Sequence, residues 1–179
     1  MNSRAAALAG SALWLVVAPG TVAGLLPWLI GGWRFSGELG DSPLLPAVGA
    51  VLLVVGSAAL LECFFRFAWT GLGTPVPIAP TRRLIVTGLY RHVRNPMYFS
   101  VVTIVLGEAL LLSDPRLLLY GAAVWALFHL FVLAYEEPTL REQFPEDYAR
   151  YTRAVPRWLP RLSPWRDDDS APSDERNIR

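Results

Sequence analysis

Between Gly88 and Tyr98 the sequence places Gly-Leu-Tyr-Arg-His-Val-Arg-Asn-Pro-Met-Tyr, a short polar cluster with two guanidiniums, an imidazole, an amide and two phenols. A second cluster, Tyr135-Glu-Glu-Pro-Thr-Leu-Arg141, offers two adjacent carboxylates. Residue types of opposite charge can grip a zwitterionic small molecule: Arg takes a carboxylate, and Glu takes an ammonium or ribose hydroxyls. Each group also has a plainer role. Arg91 and Arg94 suit a membrane-boundary anchor, Tyr90 and Tyr98 an interfacial aromatic belt, and Glu136-Glu137 before Pro138 the positive end of a helix dipole. Ionisable groups inside an apolar run are costly and mark function by default, which singles out Glu108 and His129. Their plainer readings are a carboxylate snorkelling to the boundary and a neutral imidazole bonded to a neighbour.

The elements that must position these clusters are apolar. The chain has 179 residues, 53% hydrophobic and 17% charged, with mean hydropathy +0.36. No charged residue occurs from Ala5 to Trp33, from Ser42 to Leu61 or from Leu117 to Tyr135. Runs of this length suit a bilayer-spanning helix, which needs about 20 apolar residues. The composition excludes an ordinary cytosolic domain, a disordered chain and a disulfide scaffold. The apolar N-terminal run outlasts a signal-peptide core of about 7–15 residues, so a retained membrane helix is expected. A net charge of +1 gives no reason to expect nucleic acid. Cys63 is the single cysteine, and one Cys with scattered His and acids makes no metal constellation.

The expected fold is an all-α integral membrane helical bundle of about four transmembrane segments, with a C-terminal amphipathic helical region. The first segment, about Ala5 to Trp33, is interrupted by Pro19-Gly20 and is either one kinked helix or a pair. The second runs from about Leu44 to Phe67, the third from Met97 to Leu112, and the fourth from Leu117 to Tyr135. Leu140, Phe144, Tyr148, Tyr151 and Val155 then recur at helical spacing, split by Pro145. Residues 1–70 form the N-terminal transmembrane part, 71–160 the functional core, and 161–179 a polar tail expected to be disordered. Arg82, Arg83, Arg91 and Arg94, and the arginines from Arg141 to Arg166, lie on one side, against Arg34 and Arg116 on the other. The positive-inside bias places that side, with both termini, in the cytoplasm. Both polar clusters then meet at one end of a helix pair.

The string Gly88 to Tyr98 resembles the central motif of the membrane methyltransferases that include isoprenylcysteine carboxyl methyltransferase and phospholipid N-methyltransferases, which reads G-P-Y-x-x-x-R-H/N-P-x-Y in many members. Glu136-Glu137, Leu140, Phe144, Tyr148, Tyr151 and Val155-Pro-Arg157 are similar to the family's second half. The resemblance covers about Trp69 to Pro160, with two separated motifs in the right order. It departs at Leu89 for Pro, Asn95 where carboxyl methyltransferases often have His, Ser100 for Gly and Pro145 for Gly. It implies a small helical membrane enzyme that binds S-adenosyl-L-methionine at the cytoplasmic end of its last helices, in a bacterial inner membrane. Tyr90, Arg94, Asn95, Pro96 and Tyr98 would form one wall of the cofactor site, and Glu136 and Glu137 the other. Gly71 and Gly73 match an upstream Gly-x-Gly element tied to the cofactor; His129 is placed with the cofactor-binding residues and, with Glu136 and Glu137, could help an amine or thiol acceptor lose its proton.

The expected reaction moves the methyl group to a lipophilic acceptor entering from the bilayer, with Arg94, Asn95, Glu137 and Arg157 in the reacting centre. An isoprenylcysteine-like carboxylate, an ethanolamine headgroup and a small hydrophobic thiol or acid all suit such a pocket. A rival from another class is a non-catalytic membrane scaffold or channel subunit, in which the charged clusters set topology and Glu108 lines a path.

Overall fold

A computed structural model describes residues 17–40, 42–70 and 84–166, and all regular structure among them is helical. Helix α1 covers Val17–Gly31, α2 Leu44–Thr70, α3 Pro96–Leu111 and α4 Pro115–Phe131. A π-turn over Val132–Glu136 leads α4 into α5, Glu137–Gln143. Phe144 then leaves helical geometry and α6 covers Pro145–Ala154. This is the break expected of a proline, which has no N–H to continue the preceding ladder.

Two stretches are long and apolar enough to cross a membrane: Leu44–Arg66 in α2, and Pro115–Gln143 through α4 and α5. Only 17% and 22% of their apolar windows are buried within the protein. The core helix of a soluble protein would be mostly buried; here Val51, Val54, Leu119, Leu127 and Leu130 stand exposed and need an apolar neighbour. Helices α1 and α3 are apolar but shorter. With 16 residues, α3 reaches roughly 24 Å at ~1.5 Å per residue, against a hydrocarbon core of ~30 Å. It lies in the middle of the bundle, burying Val101, Ile104, Val105 and Ala109.

Helices α2 and α3 touch backbone to backbone through small residues. A Cβ on Gly107 would lie 2.8 Å from the Leu53 nitrogen and 2.9 Å from the Gly49 oxygen. One on Gly56 would lie 3.1 Å from the Ser100 oxygen. Without a hydrophobic drive between helices in lipid, such close packing is what holds them together.

The described part of the first apolar segment is a single helix. Its irregularity lies not at Pro19-Gly20 but just after, in a π-turn over Thr21–Leu25. Pro27 explains it. The π register pairs Leu26 N–H with Thr21 O, and the next donor would be Pro27, which has none. The Val22 carbonyl left over accepts a 2.6 Å bond from the Tyr120 hydroxyl of α4 instead.

At the end of the bundle away from the polar clusters, the α1–α2 connection is tied to the α3–α4 turn by Ser36 N–H to Leu112 O at 2.8 Å and Leu39 N–H to Ser113 O at 3.2 Å. Asp114, fully buried, caps α4 by accepting from Arg116 N–H at 2.9 Å and pairs with the Arg116 guanidinium at 2.7 Å. Hydrogen bonding from Arg116 holds its carboxyl below the ordinary value of 3.8. The stability it contributes is complete above that value and is lost as pH falls through the lowered one. Asp114→Ala removes cap and pair and should cost about 1 kcal/mol from the cap alone, whereas Asp114→Asn keeps a capping oxygen. Melting in detergent should rank wild type above Asn above Ala at pH 7, and the gap between wild type and Asn should close on acidification.

Candidate functional site

The polar end of the bundle is built from two stretches far apart in sequence. A short 3-10 turn, Gly88–Arg91, begins at Gly88 with φ +58°, where an added Cβ would strike the Glu62–Arg66 ion pair of α2. Glycine is required there for both reasons. The chain then passes through His92 to Asn95, and Pro96 opens α3 at the first-turn position where a missing N–H costs nothing.

The segment after α6 runs along this loop and satisfies its backbone. Arg94 N–H donates to Pro156 O at 2.9 Å, Arg161 N–H to His92 O at 2.9 Å and Trp165 N–H to Arg91 O at 3.0 Å. Side chains repeat the clasp: Asn95 Nδ2 to Arg157 O at 3.2 Å, His92 Nδ1 to Arg161 O at 2.8 Å, and the Tyr151 hydroxyl to Tyr90 O at 2.6 Å. Beneath it Tyr148, Tyr151, Val155 and Trp165 form a buried cluster with Leu84 and Val86. Residues 161–166, expected to begin the polar tail, are therefore held against the loop; 167–179 lie outside the described residues.

Charges converge on Glu137, whose side chain is 5% exposed. Arg94 Nη1 donates to its Oε1 at 3.0 Å. Arg157 binds both oxygens, Nε to Oε1 at 2.6 Å and Nη2 to Oε2 at 3.0 Å. Arg141 approaches to 3.5 Å from a more exposed position. Three guanidiniums thus face one carboxylate, leaving positive charge in excess. Hydrogen bonding to Glu137 raises the Arg157 pKa further above its ordinary range. Arg94 Nε–H stays buried with no partner.

Glu136 faces elsewhere, because successive helical side chains point about 100° apart. It accepts the Tyr98 hydroxyl at 2.8 Å, linking α4–α5 to α3. Tyr98 packs on Phe128 and Phe131, at ring-centre distances of 4.8 and 6.4 Å. Phe131 in turn packs on the exposed Tyr135 at 5.3 Å. The π-turn before Glu137 sets the register in which the two side chains point. It shifts register ahead of Pro138, and π-turns often occur where a helix presents functional groups.

The structure thus joins Arg94, Glu137 and Arg157 directly, and Tyr98 with Glu136, on neighbouring turns. Asn95 and Pro96 are buried beside them. Tyr90 sits on the clasp, and desolvation pushes its hydroxyl well above the ordinary value of 10, so it remains neutral. His129 is held at the edge. Trp158 Nε1–H donates to its Nδ1 at 3.0 Å, and Trp125 stacks on the ring at 5.3 Å, leaving Nε2 to carry the proton of the neutral ring. Glu108 is buried, one oxygen unpartnered. Gly71 and Gly73 lie outside the described residues. Trp158, Arg161 and Trp165 join the site although neither motif contains them; the alternation of Arg with Trp and Leu from Arg157 to Arg166 is their signal in the sequence. Among the described residues no group of His, Cys, Asp and Glu could hold a metal ion.

A family model described as phospholipid methyltransferase matches residues 44–147, more than half of the chain. A curated relative, the cobalt-zinc-cadmium resistance protein CzcN of Cupriavidus metallidurans, is 28% identical over 158 residues, covering 88% of this chain and 67% of that protein. The chain belongs to the phospholipid methyltransferase family, a family of membrane proteins.

Proposed function

We propose that this member of the phospholipid methyltransferase family moves a methyl group from S-adenosyl-L-methionine to a lipophilic acceptor at the membrane boundary, in the manner of isoprenylcysteine carboxyl methyltransferases. The observation that carries this is the convergence of two motifs, Tyr90 to Tyr98 and Glu136 to Arg157, into one interlocked polar site at the end of an apolar bundle. The donor set fits a ligand with both charges. Arg94 has a buried, unused Nε–H for a carboxylate, and Glu136 beside an aromatic shelf can take an ammonium or ribose hydroxyls. Gly71 and Gly73 would complete the cofactor side.

S-adenosylmethionine, when bound, supplies a methyl group already made electrophilic by its sulfonium. The chain's own task is then placement and exclusion of water. Tyr98 fixes the Glu136 carboxylate. Glu137 acts as a positioning residue, holding Arg94 and Arg157 in place, and Asn95 locks the backbone of Arg157. Arg157 and Arg94 supply the excess positive charge that an acidic acceptor would meet. A carboxylate acceptor needs no base. An amine or thiol must lose a proton, and Glu136, bonded to the Tyr98 phenol, is better placed to take it than Glu137, whose oxygens are occupied by Arg94 and Arg157. His129 is not available for that step, because its Nδ1 accepts from Trp158 and its Nε2 carries the ring proton. The ethanolamine headgroup is the second reading, favoured by the description of the matching family model.

The site end carries Arg91, Arg94, Arg141, Arg157 and Arg161, the other end Arg34 and Arg116. The positive-inside bias then sets the site in the cytoplasm of a bacterial inner membrane, with α1 and α3 crossing alongside α2 and α4.

Calorimetric titration of detergent-purified protein with S-adenosylmethionine and its demethylated product tests the reading. Saturable binding is expected, and Glu136→Gln should weaken it about tenfold or more, as loss of a charge-assisted contact does. A well-folded sample that binds neither compound would leave a membrane scaffold.

A further inference from the structure

The two most exposed large apolar side chains among the described residues lie on one short loop after α6: Leu159 is 79% exposed and Leu162 fully so. The apolar stripe of α6 itself, Tyr148, Tyr151 and Val155, is buried. Nor is the loop a loose end. Pro156 O accepts from Arg94 N–H ahead of it, and His92 takes both the N–H and the O of Arg161. The Arg161 guanidinium donates to Ala154 O at 3.1 Å and to Ser163 Oγ at 3.3 Å. Leu162 is therefore held outward by a main chain fixed at the residue before it. The loop also reaches along the bundle. Trp158 gives its indole N–H to His129 and packs on Trp125 at a ring-centre distance of 6.2 Å. Both partners belong to the apolar stretch Pro115–Gln143. His129 stands seven residues before Glu136, roughly 10 Å further along the helix at ~1.5 Å per residue. The indole thus lies past the charged level of the site, toward the middle of the span. Trp125 is 44% exposed, so the loop's apolar surface adjoins the outer flank of α4.

We infer that residues 158–162 form a membrane-inserted loop, with Leu159 and Leu162 among the acyl chains of the leaflet on the site side. Scattered exposed leucines need no explanation. Two on a pinned loop, beside the flank of a spanning helix, do. The lipid that covers Trp125 is the neighbour at hand, and insertion takes both leucines out of water with no change in the clasp. The loop's polar groups suit a medium that offers few partners: the Trp158 indole N–H is already bonded to His129, and Pro160 has no N–H. Arg153, exposed on α6, stays in water above it. Arg157, which directly precedes the loop, is then presented at the edge of the bilayer. The inference rests on α4 spanning the membrane and not on methyl transfer.

Site-directed spin labelling tests it on the full chain, reconstituted in vesicles of phosphatidylcholine and phosphatidylglycerol in equal parts. Cys63 is the single cysteine and is fully buried, so a nitroxide goes to an introduced thiol, which the unsubstituted chain checks by taking no label. Leu159→Cys and Leu162→Cys are compared with Leu127→Cys on the exposed surface of α4 and Arg153→Cys on α6. Molecular oxygen concentrates in lipid, and a neutral nickel chelate stays in water. The ratio of oxygen to nickel accessibility at 159 and 162 should match that at 127 and exceed that at 153 severalfold. A lipid-like label at 127 with a water-like one at 159 or 162 overturns this inference alone. A water-like label at 127 overturns the spanning of α4 and this inference with it. Labels at 159 and 162 that neither reagent reaches also overturn it, since a second copy or another protein would then cover the loop. If one of the two variants fails to fold, the other decides.

Discussion

Glu137→Gln is expected to abolish methyl-donor binding and to release the segment after α6 from the loop it clasps. The carboxylate is almost wholly buried and holds Arg94 and Arg157; as an amide it could accept from one of them and would set an N–H group against the other. Removing one member of a buried ion pair costs about 3–5 kcal/mol because the partner's charge stays buried. Arg141, 67% exposed at its side chain, adds little, since water screens it. Glu136→Gln makes the contrast. Its amide oxygen can still accept the Tyr98 hydroxyl, so the fold should hold while ligand affinity falls. Limited proteolysis between Ala154 and Arg166, followed beside calorimetry, separates the two: cleavage should accelerate in Glu137→Gln alone. A Glu137→Gln protein with wild-type melting and a protected segment would show that the three-arginine cluster is not what joins the motifs. Arg157→Lys should fall between, keeping the charge while losing the two-point contact that a planar guanidinium makes.

Much of this arrangement is legible in the sequence. The uncharged runs mark the apolar helices, Pro145 marks the break between α5 and α6, and the two motifs name the residues that meet. What the sequence does not disclose is who holds whom. Glu136 and Glu137 are neighbours of identical type, and only the register of the helix, shifted by the π-turn ahead of Pro138, aims one at Tyr98 and the other at the arginines. The sequence motifs offer Arg94 and Glu137 to the ligand from opposite walls; the structure pairs them with each other across 43 positions. The clasp is hidden for a different reason. Its backbone bonds, such as Arg161 N–H to His92 O, leave no trace in side-chain pattern, so 161–166 read as the start of a tail. The buried side chains of Trp165 and Tyr151 are the physical cause, since they hold the segment close enough for those bonds to form. The π-turn in α1 shows the same limit. Pro19-Gly20 is the more conspicuous breaker, yet the helix runs on past it and yields ahead of Pro27, where Tyr120 can take up the spare carbonyl.

Gly107→Leu should be as damaging as any change at the site, although it lies near the far end of α3. The backbones of α2 and α3 meet there with no room for a Cβ: the nearest atoms would be the Leu53 nitrogen at 2.8 Å and the Gly49 oxygen at 2.9 Å, both main chain. A flexible side chain can swing aside; two helix backbones must separate. Overpacking a tight core by a few carbons costs about 1–3 kcal/mol when side chains give way, and more is expected when only backbone can move. Separation would also propagate. Helix α3 carries Tyr98 at its other end, directly after Asn95, and Gly88 sits against the Glu62–Arg66 pair toward the end of α2, so the hairpin sets the distance between the 3-10 turn and the bundle. The expected outcome is a protein that inserts but elutes as aggregate from detergent, melts at least several degrees lower and binds no methyl donor. Gly24→Leu is the control, because nothing lies within 4 Å of a Cβ there, and it should behave as wild type. Gly107→Ala should already lose part of the stability. If Gly107→Leu instead stays monomeric with unchanged melting, small-residue contact between α2 and α3 does not hold the bundle, and the site's geometry must be fixed by the clasp alone.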